Sequence, residues 1–207
     1  MCGRFSLSTG LDEIIEHFSL TRNLVLKPRY NIAPSQVIPV IRTPGILEFL
    51  SWGLKPKWLK DEQKPFINAR VETLSEKPAF RNAFKQQRCL IVADGYYEWK
   101  QMGSIKQPFF VSFAPQQVFA FAGLWDNDSC LIITQAAKHP VLSAVHDRMP
   151  IILEKNNYAV WLDAKSKLDS VQNCMQNNYM QTLKVFPVST KVNNPKYDFA
   201  ECIKPLQ

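Results

Sequence analysis

The sequence predicts a single α+β domain spanning residues 1–207, built on a curved, mostly antiparallel sheet or partly open barrel with several flanking helices. Short β-rich segments dominate the middle of the chain with few helices between them, which argues against a doubly wound parallel sheet. A length of 207 residues fits one domain with modest embellishment. Hydrophobic residues make up 46% and charged residues 21%, which is an ordinary globular composition.

The predicted helices are recognised by their apolar spacing and their boundaries. Leu11 to Phe18 carries apolar residues at helical spacing, with Ser8 and Thr9 as caps. Pro78 suits the first turn of a short second helix. The expected ranges are 11–18, 78–86, 158–164 and 168–177.

Strands are predicted where short runs of branched and aromatic residues end at turn residues. The turn at 43–45 joins two of them, and Asp94-Gly95 supplies another tight turn. The stretch 27–34 is punctuated by prolines and too irregular for a helix interior. The expected strands are 36–42, 46–52, 89–93, 96–100, 108–113, 118–124, 130–135 and 183–188.

Charge favours a polyanionic partner. The 25 Lys and Arg residues outnumber 18 Asp and Glu, giving a net charge of +7. Such an excess supports phosphate contacts with counterion release, although plain basic solubility explains it equally well. The N-terminus lacks a signal-peptide pattern and no apolar run is long enough to span a bilayer, so we expect a cytoplasmic, nucleoid-associated monomer that does not bind membranes.

The cysteines argue against metal and disulfide frameworks. There are five, widely spaced, with no C-x-x-C pair and no Cys/His cluster. We therefore expect no structural metal, no disulfide framework and no cofactor.

Cys2 offers a chemistry that no other residue shares. Removal of Met1 would leave an amine and a thiol on adjacent carbons, with ordinary pKa values of about 8 and about 8.5. An aldehyde condenses with such an amine to an imine, and the thiolate can then close a five-membered thiazolidine ring at high effective molarity. By position alone, Cys2 is more simply a chance second residue.

Two further residues are candidate proton carriers. Glu98 lies between aromatic residues on a predicted strand, and burial there would raise its pKa. An exposed strand glutamate fits the same pattern. His146 stands beside Asp147 and Arg148 and is the natural acid or base at neutral pH, with a surface or structural histidine as the alternative.

Polar and aromatic residues suggest a nucleic-acid surface. Asn68, Arg70 and Glu72 would share one face if their segment is extended, where they could orient a sugar and a phosphate. The alternative is a solvated face. Single-stranded DNA needs cations for its backbone and flat rings for its bases, although tryptophans are more often core residues. The remaining candidates are Arg4, Arg81, Arg148, Trp52 and Trp99.

Seven short motifs follow one another along nearly the whole chain. They are Met1-Cys2-Gly3-Arg4-Phe5, Tyr30-Asn31-Ile32-Ala33-Pro34, Trp52-Gly53-Leu54, Ile67-Asn68-Ala69-Arg70-Val71-Glu72-Thr73, Arg88-Cys89-Leu90-Ile91, Gly95-Tyr96-Tyr97-Glu98-Trp99 and His146-Asp147-Arg148-Met149-Pro150. With this ordered set, the chain resembles the SRAP family (SOS response-associated peptidase-like proteins), whose members shield abasic sites by crosslinking to them.

The resemblance implies a role for each candidate. Cys2 would be the crosslinking nucleophile through its amine and thiol. Glu98 would assist opening of the deoxyribose ring and Schiff-base formation at C1′. His146 would transfer protons at the sugar oxygen, and Asn68 would hold the N-terminal residue and the sugar. DNA contacts would come from Arg4, Arg70, Arg81, Arg148, Trp52 and Trp99.

The resulting prediction is a DNA-damage-response enzyme that crosslinks to abasic sites in single-stranded DNA through a thiazolidine on Cys2. The family name also implies a peptidase activity, at least removal of Met1. Two alternatives stay open. One is an N-terminal-nucleophile cysteine peptidase that uses Cys2 on protein substrates. The other is a non-covalent single-strand binder in which Cys2 is idle.

Overall fold

Thirteen strands lie in the computed structural model, which describes residues 2–21, 25–56, 59–60, 63–138, 140–176 and 183–206. They are β1 (Arg4–Leu7), β2 (Arg29–Ile32), β3 (Val37–Thr43), β4 (Ile46–Trp52), β5 (Asn68–Arg70), β6 (Arg88–Ala93), β7 (Gly95–Met102), β8 (Ile105–Phe113), β9 (Phe119–Asp126), β10 (Ser129–Ala136), β11 (Arg148–Pro150), β12 (Ile152–Leu153) and β13 (Leu183–Pro187).

Helices are short and lie around the strands. The α-helices are α1 (Leu11–Phe18), α2 (Arg81–Gln86), α3 (Pro140–Ser143), α4 (Tyr158–Leu162) and α5 (Leu168–Cys174). Single 3-10 turns are found at Val71–Thr73, Lys155–Asn157, Thr190–Asn193 and Ala200–Ile203. Among the described residues, none of these helices combines the length and the apolar character needed to cross a membrane.

The strands form two sheets. One is antiparallel throughout, with the order β13-β8-β7-β1-β2. The other has the order β11-β10-β4-β3-β6-β9-β12, and because β9 also pairs with β10 it closes into a ring. Only the pairings of β10 with β4 and β5 are parallel among the strands described. The predicted class, α+β with a curved and mostly antiparallel sheet, is confirmed.

The first helix occupies the predicted range, but its predicted caps are wrong. Gly10 is the N-cap residue of α1, and no side chain caps the helix there. Ser8 and Thr9 instead donate hydrogen bonds from their backbone and hydroxyl groups to Asp94, at 2.6 to 3.0 Å. The hydroxyl groups of Ser8 and Thr9 therefore hydrogen bond to the carboxylate of a residue distant in sequence and do not cap the helix.

The sequence predicts a tight turn at Asp94, and the structure has a bend there that forms a corner between the two sheets. β6 ends at Ala93 and pairs with β3 and β9, whereas β7 begins at Gly95 and pairs with β1 and β8. Gly95 is required here by packing, because a Cβ at this position would lie 2.1 Å from a ring carbon of Phe110. The corner brings the N-terminal strand β1 beside β7.

Most of the remaining predicted elements are present with shifted ends. The short helix expected from Pro78 begins at Arg81, since the residues between form a turn. The helix expected over 168–177 is α5, which ends at Cys174, and the last predicted residue lies outside the described ranges. The strand expected over 183–188 is β13.

The core lies inside the ring and between the two sheets. It includes large side chains with no exposed surface, among them Trp52 and Trp161. A second, smaller cluster packs on the opposite face of β7, around Tyr97 and Phe110. All five cysteines are buried and unpaired with one another.

Candidate active site at the start of β1

Cys2 lies two residues before the start of β1. Strand β1 pairs antiparallel with β7, with Arg4 opposite Tyr97 and Phe5 opposite Tyr96. The Cys2 side chain is fully buried, and its Sγ donates to the carbonyl oxygen of Arg4 at 3.7 Å. Burial, followed by the negative charge of Glu98, raises the pKa of this thiol well above its ordinary value. Less of the Cys2 thiol is therefore ionised at neutral pH than its ordinary pKa would give.

Asn68 fixes the backbone of Cys2. Strand β5 pairs in parallel with β10, which sets Asn68 opposite Ile132. The Asn68 Nδ2 donates to the carbonyl oxygen of Cys2 at 2.8 Å, across 66 residues of sequence. The Asn68 Oδ1 is buried and accepts no hydrogen bond within the described part of the chain. The Asn68 side chain thus orients the Cys2 backbone through its Nδ2, and its Oδ1 is available to accept a hydrogen bond from a further group.

Glu98 is a buried carboxyl on β7. It is only 3% exposed, and it shares a strand face with Tyr96 because residues two apart point the same way. Burial raises the pKa of Glu98 from 4.5 to about 7, with a smaller contribution from the charge of Asp147. A carboxyl with this pKa is present in both protonation states near neutral pH, which suits proton transfer.

His146 follows α3 and makes two contacts that compete for one nitrogen. The backbone N–H of Arg148 lies 3.0 Å from His146 Nδ1, and the Asp147 Oδ1 lies 2.8 Å from the same atom. A neutral ring accepts from Arg148, whereas only a protonated Nδ1 would donate to Asp147. Since burial lowers the pKa of His146, we assign the neutral ring, with its proton on Nε2.

A cleft of about 430 Å³ brings several of the candidates together. Its lining residues are Arg4, Glu98, Trp99, Gln101, Lys106, His146 and Asn193. Three of these residues are not among those predicted from the sequence, namely Gln101, Lys106 and Asn193. The first two are cross-strand partners near the end of the β7–β8 hairpin, and Asn193 comes from the far end of the chain, so no local pattern could have identified them.

Arg4 joins the cleft to the C-terminal part of the chain. Its guanidinium donates to Asn31 Oδ1 at 2.7 Å and to the carbonyl oxygens of Val192 and Asn193 at 2.8 and 3.3 Å. Trp99 donates from its indole nitrogen to Asn193 Oδ1 at 2.7 Å. Arg4 therefore lines the cleft while its guanidinium donates three hydrogen bonds to protein oxygens.

Glu72 differs from its expected place. It does not share an extended face with Asn68 and Arg70, because β5 ends at Arg70 and the chain turns into a 3-10 helix. Its carboxylate instead binds the guanidinium of Arg148 at 2.6 and 3.0 Å. Arg148 also donates to the Thr134 carbonyl oxygen at 2.7 Å, so both of its terminal guanidinium nitrogens are bound by protein groups, whereas its buried Nε has no partner within the described residues.

The other predicted DNA contacts separate into three groups. Arg70 and Arg81 are exposed, and neither side chain hydrogen bonds to another described residue. Trp99 is half-buried on the cleft wall. Trp52 is fully buried and donates to the Ile67 carbonyl oxygen at 2.9 Å, so the prediction that it stacks on DNA is wrong. Strand alternation alone does not reveal which face of β4 is covered.

No group of three or more His, Cys, Asp or Glu side chains in the described ranges is arranged to hold a metal ion. Met1 lies outside those ranges.

Comparison with known proteins gives consistent matches over the chain. The model of a family described as SOS response associated peptidase (SRAP) matches residues 1–195. Abasic site processing protein YoqW of Bacillus subtilis (strain 168) is 40% identical over 223 residues, covering 99% of each chain. Abasic site processing protein YedK of Escherichia coli (strain K12) is 29% identical over 228 residues, covering 100% of both chains. The crystal structure of a protein from Bacteroides thetaiotaomicron superposes with a TM-score of 0.85 at 20% identity, covering 100% of both chains, which shows a shared fold.

Proposed function

The chain belongs to the SOS response associated peptidase (SRAP) family, and on that premise we propose that it processes abasic sites in DNA by forming a covalent adduct through Cys2. The observation that carries the proposal is the surroundings of Cys2. Asn68 holds its backbone, and Glu98, a buried carboxyl with a pKa of about 7, lies close enough to raise the pKa of its thiol. His146 lines the same cleft as Glu98.

The first chemical step requires a free amine on Cys2, and therefore removal of Met1. The amine attacks C1′ of the open-chain aldehyde, so that an N–C bond forms and the carbonyl oxygen becomes a hydroxyl. Glu98, as the carboxylic acid, protonates this hydroxyl, which leaves as water and gives an iminium ion. His146 carries a proton to the ring oxygen of the sugar when the closed form of the abasic site opens.

The second step closes the ring. The Cys2 thiol gives its proton to the Glu98 carboxylate, and the sulfur attacks the iminium carbon to form the C–S bond. The net reaction joins amine, thiol and aldehyde and releases one water. The two nucleophiles stand on adjacent carbons, so closure is intramolecular and fast.

The product explains why such an adduct protects DNA. A free abasic aldehyde undergoes β-elimination, and an imine promotes the same elimination by withdrawing electrons. A saturated thiazolidine lacks this electron-withdrawing group. A protein that stopped at the imine would break the strand, whereas one that proceeds to the ring preserves it.

Single-stranded DNA is the substrate form that we propose. Trp99 offers a ring on the cleft wall and Lys106 a cation on its lining, which together suit unpaired bases and a backbone. Arg70 is an exposed cation on the strand that carries Asn68, and Arg81 is a second exposed cation at the start of α2. These contacts carry little base identity, so sequence preference around the lesion should be weak.

A denaturing gel tests the proposal directly. Protein is mixed with an oligonucleotide whose single uracil has been removed by uracil glycosylase, and a shifted band is expected for the wild type but not for Cys2→Ala. Cys174→Ala, which removes another buried cysteine, is the matched control and should retain the band. Mass spectrometry of the adduct reports Met1 loss and the release of one water. An undiminished band for Cys2→Ala would refute the proposal.

The family description favours one second candidate, a cysteine peptidase that acts on proteins through Cys2. Burial raises the pKa of the Cys2 thiol, which is the reverse of what a peptidase nucleophile needs. This candidate predicts turnover of peptides in trans that competing DNA does not inhibit. We therefore limit the proposed peptidase activity to removal of Met1.

A further inference from the structure

We propose that Tyr96 is a further catalytic residue of adduct formation, whose hydroxyl donates a hydrogen bond to the Cys2 sulfur while that sulfur is a thiolate. The inference rests on the proposed function and deepens it, because it names the group that stabilises the buried sulfur anion before ring closure. Glu98 removes the proton, and Tyr96 keeps its own proton throughout.

The position of Tyr96 follows from strand register. It is opposite Phe5 in the pairing of β1 with β7. Directly paired residues place their side chains on the same face of a sheet, and Glu98 shares that face of β7. Tyr96 is fully buried and belongs to the same core cluster as Cys2. Its ring packs edge-on against Phe121, with the centroids 6.0 Å apart.

The hydroxyl of Tyr96 is the unusual feature. It is buried and has no hydrogen-bond partner within the described residues. The neighbouring Tyr97, on the opposite face of β7, donates its hydroxyl to the Tyr30 carbonyl oxygen at 2.6 Å. Buried hydroxyl groups are almost always paired, so an unpaired one beside reactive groups indicates a partner that forms during the reaction.

The Cys2 sulfur is that partner. As a thiol it donates to the Arg4 carbonyl oxygen. Once deprotonated, the sulfur has no hydrogen to donate and faces the lone pairs of that oxygen, so it needs a donor instead. Burial raises the pKa of Tyr96 well above 10, with further contributions from the charges of Glu98 and Cys2, and the phenol therefore stays a donor at all working pH values.

The proton and electron pairs balance without a further reactant. The thiol proton passes to the Glu98 carboxylate, the sulfur lone pair forms the bond to C1′, and the C=N electron pair returns to nitrogen. The hydrogen bond from Tyr96 weakens as the sulfur becomes a neutral thioether. The stabilisation is therefore specific to the anionic stage, which is the condition for accelerating a step.

Tyr96→Phe removes one oxygen atom and keeps the ring packing. We expect single-turnover adduct formation at pH 7 to slow about 10- to 100-fold, the range expected for loss of one hydrogen bond to a charged group. The variant should stay slower than the wild type as pH rises toward 9, because burial raises the pKa of the Cys2 thiol well above its ordinary value and bulk base does not replace the lost donor. Affinity for an undamaged strand, measured by fluorescence anisotropy, should be unchanged.

Tyr97→Phe is the matched control, since it removes a hydroxyl from the other face of the same strand. It should lower stability through loss of the bond to Tyr30 while the pH profile of adduct formation stays that of the wild type. Borohydride trapping adds a second measurement. Imine formation uses the amine and the Glu98 carboxylic acid but not the sulfur anion, so the trapped imine should form at the wild-type rate in Tyr96→Phe.

The results separate the inference from the proposed function. If the wild type forms no adduct, the proposed function is wrong. If the wild type forms it and Tyr96→Phe has the same rate and pH profile, the role of Tyr96 is wrong. Slower imine trapping in Tyr96→Phe would also overturn it, because the effect would then precede the sulfur step.

Discussion

Replacing the Glu98 carboxyl by an amide should stabilise the fold and disable the chemistry. The pKa of Glu98 is raised from 4.5 to about 7 by burial. At about 1.36 kcal/mol per pKa unit, the charged carboxylate costs the folded protein roughly 3 kcal/mol relative to the unfolded chain. Between these two pKa values the folded state holds the proton more tightly, so stability falls as pH rises from 4.5 to 7 and the full cost applies above pH 7.

The variant Glu98→Gln has the shape of the protonated acid and no charge, so it escapes this cost. We expect its free energy of unfolding to exceed that of the wild type by about 2–3 kcal/mol at pH 8 and by little at pH 4.5. Urea unfolding at the two pH values measures the effect. The difference in unfolding free energy between variant and wild type at pH 8 is compared with the same difference at pH 4.5. This comparison cancels any effect of the amide that does not depend on pH. Adduct formation by the variant should be lost or slowed at every pH.

Two results would refute this reasoning. If the gap between variant and wild type is the same at pH 4.5 and pH 8, Glu98 does not titrate near neutral pH in the folded protein. If Glu98→Gln forms the adduct at the wild-type rate, the carboxyl does not transfer the proton. Asp126→Asn, which removes a carboxyl from the end of β9, is the control and should show neither effect.

Further predictions concern DNA contacts and packing. Arg70→Ala should weaken single-strand binding uniformly and reduce the salt slope by about one, and an unchanged slope in an anisotropy titration would contradict a phosphate contact. Trp99→Ala should cost about 1–3 kcal/mol of single-strand affinity. Trp52→Phe should leave that affinity unchanged while lowering the free energy of unfolding by about 1 kcal/mol or more, since its indole hydrogen bond is buried. Gly95→Ala should cost about 1–3 kcal/mol or more in urea unfolding, because the new methyl group meets the Phe110 ring.

Elements defined by local signals were predicted well. Strands β3 and β4 flank the turn that ends at Gly45, whose φ of +80° suits glycine, and both strands are close to their expected ranges. Elements whose strand pairing depends on residues far along the chain were not predicted. The short β1 and β2 were missed, because their pairing depends on residues far along the chain. The sequence predicts a turn at Asp94 but does not show that the two strands joined there belong to different sheets.

The candidate site shows the same division. The sequence named Asn68 and Cys2, and the structure places them in hydrogen-bond contact, although their chemical roles stay predictions. It could not show that Arg148 is paired with Glu72, because that contact spans 76 residues. Residue type also misled at Trp52, since an indole suits both a base and a core.

Asp94 immobilises the segment that follows Cys2, which matters for any reactive group near the end of a chain. Terminal residues usually fray, and a frayed end would have to lose that freedom each time it met a lesion. The carboxylate of Asp94 accepts five hydrogen bonds from residues 6–9, at 2.5 to 3.0 Å, and these hold the strand that follows Cys2. The entropy of immobilising the chain end is thereby lost once, during folding. Loss of Met1 removes none of these bonds, so the newly exposed amine would be generated on a segment that is already fixed.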